Sequence, residues 1–330
     1  MKNLIVVLMG GLSVERKISF LSGKAWSKAL RKKGYKVKEL DAKGYFVDKL
    51  KKLKPKIIFN ALHGKYGEDG FVQSILESLE IPYTHSGILS SSLAMDKELS
   101  RLIFKKNNIK VPKYFLLQKD HEEDLKRKMK NKKIKFPIVI KPINEGSSIG
   151  VYICKNKMQF SRNYNKLKKT YNRILIEEYI PGKEIQVAVM GSKSLGAIEL
   201  VPRREFYDYE AKYSVKAKTK HIMPASLSKR KYEEVLFLAK KAHKALGCRG
   251  ITRSDFRFFS NKFYLLETNT QPGMTKLSLV PEIAHYCGIK FEDLVVWMVK
   301  DASSNRWKKY IEPSYYSRYL FFYQPTIPKT

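Results

Sequence analysis

Residues 4–9 form an unbroken apolar run, Leu-Ile-Val-Val-Leu-Met, that stops at Gly10-Gly11. A short run without alternation is the pattern of a strand buried on both faces, as in a parallel sheet. Helical spacing follows over 14–33, and Gly34 is a stop signal. Strands are predicted over 35–40 and 57–60, and a helix over 70–79. This β-α-β-α alternation predicts an open parallel sheet that ends near Met95-Asp96.

The pattern changes at Lys97. A lysine-rich helix (120–130) and a strand (136–141) lead into a glycine–serine loop over 144–150. A strand (151–154), a basic helix and a strand (173–179) follow, closed by the turn Pro181-Gly182. From Glu184 the chain reads as a mixed sheet, with strands over 185–190, 194–200, 252–259 and 263–267. Helices are predicted over 231–246, 280–287 and 292–300. The expected organisation is an α/β unit over 1–96, a small α+β unit over 97–183, a mixed-sheet unit over 184–311, and a tail over 312–330. The tail is rich in aromatics, Lys and Pro without a clear period, and no internal repeat occurs. Two or three domains suit 330 residues.

With 43% hydrophobic and 29% charged residues, collagen-like, mucin-like and wholly disordered chains are excluded. No apolar stretch is long enough to span a membrane, and the first apolar run is too short for a signal peptide. Cys154, Cys248 and Cys287 are odd in number and far apart, which argues against a disulfide framework and a CxxC metal knuckle. A reduced, cytoplasmic, soluble protein is expected. The net charge of +34 invites a nucleic-acid reading. Yet 51 of the 65 cations are lysines, spread where a solvated helix face would put them, and no RNP-like, zinc-finger or helix-turn-helix signature accompanies them. The charge is read mainly as surface bias, with some long-range steering of polyanions including nucleotides, and no specific nucleic-acid partner is expected.

Four motifs carry chemistry. Gly10-Gly11-Leu12-Ser13 lacks the third glycine of a dinucleotide fingerprint, and Asp41 lies too far on. Glu15, placed by the pattern in the first turn of the helix, reads either as a capping carboxylate or as a counter-ion for an ammonium. Lys141, at a strand end, precedes a loop with Ser147 and Ser148 whose donors suit phosphate. The strand end at Glu177-Glu178-Tyr179-Ile180 and the later Glu184 read, taken alone, as an ordinary acidic edge. Arg253 and Asp255 share one strand face, as do Glu267 and Asn269, and a hairpin through Ser260-Asn261 would join them. Two carboxylates and an amide oxygen suit Mg²⁺, with Arg253 beside them for a developing oxyanion.

In this order Lys97, Lys141 with its loop, Glu177–Ile180, Arg253, Asp255, Glu267 and Asn269 resemble the ATP-grasp ligases. Within these the chain is similar to the D-alanine–D-alanine ligase family over roughly residues 3–300. The stretches that carry the likeness are Met9-Gly-Gly-Leu-Ser-Val-Glu15-Arg, Ala61-Leu-His63-Gly-Lys-Tyr-Gly-Glu-Asp-Gly70, Met95-Asp-Lys97, Glu145-Gly-Ser-Ser-Ile-Gly150, Phe206-Tyr-Asp-Tyr-Glu-Ala-Lys212-Tyr213 and Glu267-Thr-Asn-Thr-Gln-Pro-Gly-Met-Thr275.

The resemblance implies a three-domain ATP-grasp fold and the making of D-alanyl-D-alanine for peptidoglycan through an acyl phosphate. It implies that Lys97, Lys141 and Ser148 hold nucleotide phosphates, that Glu177, Glu178, Tyr179 and Ile180 line the adenine, and that Glu184 takes the ribose. Asp255, Glu267 and Asn269 would bind two Mg²⁺, for which Mn²⁺ substitutes. Glu15 would receive the first D-alanine's ammonium in a network with Ser147 and Tyr213. Arg253 would meet the oxyanion, and Lys212 the γ-phosphate from a closing loop. Gly273, Ser278 and Leu279 would hold the second substrate's carboxylate, with His63 nearby. A homodimer is the family expectation.

Tyr213 stands where the related D-alanine–D-lactate ligases typically carry Phe, which favours an amine nucleophile. A D-lactate or D-serine ligase and a nucleotide-binding relic are the alternatives. The sequence departs from the family pattern in the lysine-rich segment after Tyr213, in Gln271 where Ser is common, and in the tail from about 311.

Overall fold

The computed structural model describes residues 4–119, 121, 123–202, 219–275 and 278–304. The chain begins β1 (Leu4–Met9), α1 (Arg16–Lys32), β2 (Lys36–Asp41), α2 (Phe46–Leu53), β3 (Ile57–Asn60), α3 (Phe71–Ser78), α4 (Ile88–Met95) and α5 (Lys97–Lys106). It continues with β4 (Tyr114–Gln118), α6 (Asp124–Lys132), β5 (Ile138–Pro142), β6 (Tyr152–Cys154), α7 (Lys157–Leu167) and β7 (Arg173–Glu178). Then come β8 (Lys183–Met190), β9 (Lys193–Val201), β10 (Lys220–Ile222), α8 (Lys229–Ala245), β11 (Ile251–Phe259), β12 (Lys262–Asn269), α9 (Leu279–Tyr286) and α10 (Phe291–Asp301).

The strands form three sheets. The first, β2-β1-β3, is parallel, as the unbroken run on β1 predicts. Ile5, Val7 and Met9 pack toward α1, while Val6 and Leu8 join Leu50, Val72 and Leu76 on the other face. The second sheet, β4-β7-β5-β6, is antiparallel. The third, β10-β9-β8-β11-β12, is antiparallel at every pairing among the described strands, where the sequence suggested a mixed sheet. Its strands β8–β9 and β11–β12 are hairpins, and a hairpin can only pair antiparallel. α8 covers one face through Val235, Ala239 and Ala242. α9 and α10 cover the other and pack in one cluster with β1 and Trp26 of α1, so the first and third sheets share a core.

Local signals explain most elements, and tertiary contacts the rest. α1 starts at Arg16, so Glu15 occupies the cap position rather than the first turn, and its own N–H donates to Ser13 Oγ at 2.9 Å. α2, α4, α5, β4 and β10 are not foreseen by the pattern. Serine is a weak helix former, but in α4 Ser90 Oγ donates to Gly247 O and Ser92 Oγ to Asp69 O, both at 2.7 Å. Helical hydroxyls that compete with the backbone in isolation become anchors once partners are near. α5 follows without a break because Asp96 Oδ1 accepts from the N–H groups of Glu98 and Leu99 at 2.8 and 3.0 Å. The expected helix over 120–130 lies at Asp124–Lys132.

Candidate functional site

Two cavities adjoin where the three sheets meet. The first is lined by Glu15, His63, Ser147, Arg253, Asn269, Gly273, Ser278 and Leu279. These residues come from strand ends, loops and a helix start. Glu15 is 5% exposed, and its carboxylate accepts from Ser147 Oγ across 132 residues of chain. Gly64 has φ +68°, and a Cβ there would fall on the Glu15 carboxylate. The glycine therefore meets both a backbone demand and a steric one. Ser147 and Ser148 both hold positive φ, +49° and +60°, in the glycine–serine loop. Non-glycine residues in this region are strained by about 1 kcal/mol or more, and such strain gathers at functional loops.

His63 is buried with Nδ1 3.2 Å from Glu68 Oε1 and Nε2 3.1 Å from Ser22 Oγ. Burial opposes its imidazolium, but the bond to Glu68 and the charges of Glu68 and Glu15 outweigh that and raise its pKa. Ser278, the cap of α9, accepts from Thr275 N–H at 2.8 Å. Ser278 and Leu279, at the start of α9, line the cavity, and a helix N-terminus suits a carboxylate.

The second cavity is lined by Lys141, Ser148, Glu177, Glu178, Tyr179, Ile180, Glu184 and Asp255, with Val139, Val151 and Leu266 as apolar walls. It suits a flat apolar group with polar ends. Lys141 Nζ lies 2.8 Å from Glu177 Oε1, and Arg101 pairs with the other oxygen. Burial pushes against charge on both. It lowers the Lys141 pKa against the pull of Glu177, while Arg101 and Lys141 hold Glu177 below its usual range in spite of burial. Glu178 is turned outward enough to accept from Lys113 N–H at 2.8 Å. Arg257 Nη1 meets Glu184 at 3.2 Å, and its Nε donates to Ile180 O. Lys97, Glu145 and Glu267 line both cavities. The Lys97 ammonium donates to Glu145 O and lies 3.6 Å from Glu267.

The hairpin of β11 and β12 joins the two. Asp255 faces Glu267 and Arg253 faces Asn269, and the turn residues Ser260 and Asn261 hold the positive φ that such a tight turn demands. Simple alternation would put Glu267 on the face of Phe263 and Leu265, which are core residues. The register shifts between Asp255 and Phe256, leaving Leu266 as an extra residue on β12. This bulge turns Glu267 into the cavity. Arg253 grips Asp255 with two bonds, at 2.8 and 2.9 Å. Asn269 Oδ1 accepts from Gln271 N–H at 2.8 Å, and the Gln271 amide bonds Asn60 at 2.8 Å and Leu62 O, tying the end of β12 to the first sheet. Asp255, Glu267 and Asn269 offer hard oxygen donors that fit Mg²⁺. Mg²⁺ takes few protein ligands, and phosphate and water would complete its shell.

Every predicted site residue among those described lines one of these cavities. Lys212 and Tyr213 lie outside the described residues, as does the tail. The sequence reading missed Glu68, Arg257 and Arg101. Arg257 continues the face of Arg253 and Asp255 by one more step of two, and that alternation could have found it. Glu68 sits in a loop, where no period helps.

A model of the D-ala D-ala ligase C-terminus matches residues 103–300. The D-alanine–D-alanine ligase of Pelagibacter ubique (strain HTCC1062) is 57% identical over 302 residues, covering 92% of this chain and 99% of that protein. That of Wolbachia pipientis wMel is 45% identical, covering 92% of this chain and 95% of its own. Among solved structures, the D-alanine–D-alanine ligase of Bacillus anthracis superposes with a TM-score of 0.81 at 34% identity, over 91% of this chain and 97% of that one. The same enzyme complexed with ATP gives 0.79 at 31% identity, with the same coverage. With identity this high over nearly the whole described chain, the protein belongs to the D-alanine–D-alanine ligase family of ATP-grasp fold.

Proposed function

We propose that this chain joins two D-alanines into D-alanyl-D-alanine, driven by ATP. The observation that carries the reading is that Lys97, Glu145 and Glu267 line both cavities. The phosphate end of a nucleotide in one and the carboxylate of an amino acid in the other would meet there. ATP phosphorylates the carboxylate of the first D-alanine. The amine of the second attacks the acyl phosphate, and phosphate leaves from the tetrahedral intermediate.

Glu15, backed by Ser147, takes the first substrate's ammonium, with Tyr213 in the same network. Arg253 stabilises the oxyanion in a site of fixed donors. Gly273, Ser278 and Leu279 hold the second carboxylate at the start of α9, and His63 stands beside both substrates. Lys97, Lys141 and Ser148 hold phosphates, and Lys212 closes on the γ-phosphate. Glu177 to Ile180 line the adenine, and Glu184 takes the ribose. Asp255, Glu267 and Asn269 would hold Mg²⁺ or Mn²⁺, which when bound neutralises the charge of the transferring phosphoryl group. The Tyr213 hydroxyl favours an amine over D-lactate as nucleophile. The division into units 1–96, 97–183 and 184–311, a tail over 312–330, a homodimer, a cytoplasmic place and a role in peptidoglycan precursor synthesis belong to the same reading.

Phosphate release with ATP, Mg²⁺ and D-alanine, with the product identified by mass spectrometry, tests it. L-alanine and D-alanine plus D-lactate serve as comparisons, and Glu267→Ala as the blank. Release that needs D-alanine, yields the dipeptide and vanishes in the variant is expected. Release only with D-lactate present would move the assignment to a depsipeptide ligase, and no turnover with any pair would leave a nucleotide-binding relic.

A further inference from the structure

The nucleotide-side cavity is backed by a charge that cannot reach it. Arg101 lies one helical turn after Lys97 on α5, on the same face, and exposes no surface. It pairs with one oxygen of Glu177, whose other oxygen holds Lys141 Nζ at 2.8 Å. Arg101 Nε and Nη1 have no hydrogen-bond partner among the described residues, and the guanidinium lies 5.1 Å from the centre of the Tyr114 ring. Glu177 and Lys141 line the cavity, whereas Arg101 does not.

Two cations against one anion is a costly thing to bury. A side chain needed only to fill this space would be Met or Leu, with far less to desolvate. Without Arg101, Glu177 and Lys141 would form a neutral pair, and the carboxylate would be free to follow the lysine. With Arg101 on its far side, the carboxylate is held from two directions, and its charge is met by Arg101 as well as by the lysine.

We infer that Arg101 is a positioning residue for nucleotide binding: through Glu177 it fixes the Lys141 ammonium in the cavity, and it offsets the Glu177 carboxylate so that the lysine's charge is left for an anionic polyphosphate. This rests on the ATP-dependent reading above. One turn of α5 thus supplies two cations, Lys97 in the wall and Arg101 behind it.

The test is a double-variant cycle on the full chain: Arg101→Met, Glu177→Gln and both together, with Arg101→Lys as the conservative replacement. D-alanine-dependent phosphate release is measured against ATP at saturating D-alanine, and the reverse. Arg101→Met is expected to raise KM for ATP by about 10–100-fold, taking the size of effect seen for groups that orient metal-ligating side chains. KM for D-alanine should hold, and Arg101→Lys should recover most of the loss. In the Glu177→Gln background the same replacement should add much less, because the two residues act as one unit. An unchanged KM for ATP, a parallel rise in KM for D-alanine, or losses that simply multiply would each overturn the inference. If Arg101→Met does not fold, Arg101→Gln keeps the length and polarity and carries the same readouts. A wild-type chain that releases no phosphate with D-alanine would overturn the ligase reading instead. The rank order of the variants in ATP-dependent thermal shift would then judge Arg101 separately.

Discussion

The two cavities hold their charges in different ways. In the cavity proposed for the nucleotide, Lys141, Glu177, Glu184, Asp255 and Arg257 stand on strands, and the ladder fixes their spacing: Arg257 faces Glu184, and Asp255 faces Glu267. In the cavity proposed for the amino-acid substrates, Glu15, His63, Ser147 and Ser278 stand in loops or at a helix start, drawn from all parts of the chain. Ladder-held charges inherit their geometry from backbone hydrogen bonds. Loop-held charges need joints of their own, such as Gln271 to Asn60 and Leu62, Gly64 against Glu15, and Ser147 on Glu15. The first kind should resist change in the second, and four experiments probe that separation.

Arg253 belongs to both sides, since it lines the substrate cavity and grips Asp255. Arg253→Met should lower kcat by about 10²–10³-fold, the usual loss for an oxyanion donor, with a smaller change in KM for ATP. A change confined to KM would make it a binding residue of one cavity only. Glu15→Gln should raise KM for D-alanine by about 10–100-fold, the worth of a hydrogen bond to a charged group. ATP-dependent thermal stabilisation should survive in this variant. Its loss would mean that the two cavities are not separable.

Beneath the loop-built side, His85 is buried against Trp26 and Phe59, and burial pushes its pKa down to about 3. His243 is pushed down to about 4 in the same way. Unfolded histidines take up protons near pH 6.5, so the unfolded state binds more protons below that value. Stability is then complete above pH 6.5 and falls as pH drops toward 4 and 3, by up to about 1.4 kcal/mol per pH unit for each histidine. His85→Phe should flatten the slope by the share of one proton, read from denaturant midpoints at pH 7 and pH 5. An unchanged slope would mean that His85 titrates normally in the fold. The smallest effect is expected at Asp96. Asp96→Ala removes the cap of α5 and should cost about 1 kcal/mol of stability, with a modest rise in KM for ATP through Lys97 and none for D-alanine.

Regular period carried most of what could be read in advance. β1 and the third-sheet strands other than β10 follow from apolar runs and alternation, and Arg253 with Asp255 follows from a step of two. Helix α4 did not, because Ser90, Ser91 and Ser92 favour a helix only weakly until Gly247 and Asp69 supply acceptors. Nor did Glu68, whose link to His63 is made by a turn rather than a repeat. Arg101 was not legible either: its place one turn after Lys97 depends on α5, which the pattern does not foresee, and its burial against Glu177 depends on how α5 meets β7.

The sequence by itself determined the parallel first sheet, the residue types proposed for a phosphate and metal site, their order along the chain and, by resemblance, the family. These depend on local period and on chemistry that particular side chains must supply. Tertiary structure alone decided the antiparallel pairing of the third sheet, the bulge that turns Glu267 out of the core, the buried pairing of Arg101 with Glu177, and the meeting of the two cavities at Lys97, Glu145 and Glu267. Each of these depends on contacts between segments far apart in the chain, whose free energy exists only when the whole fold brings them together.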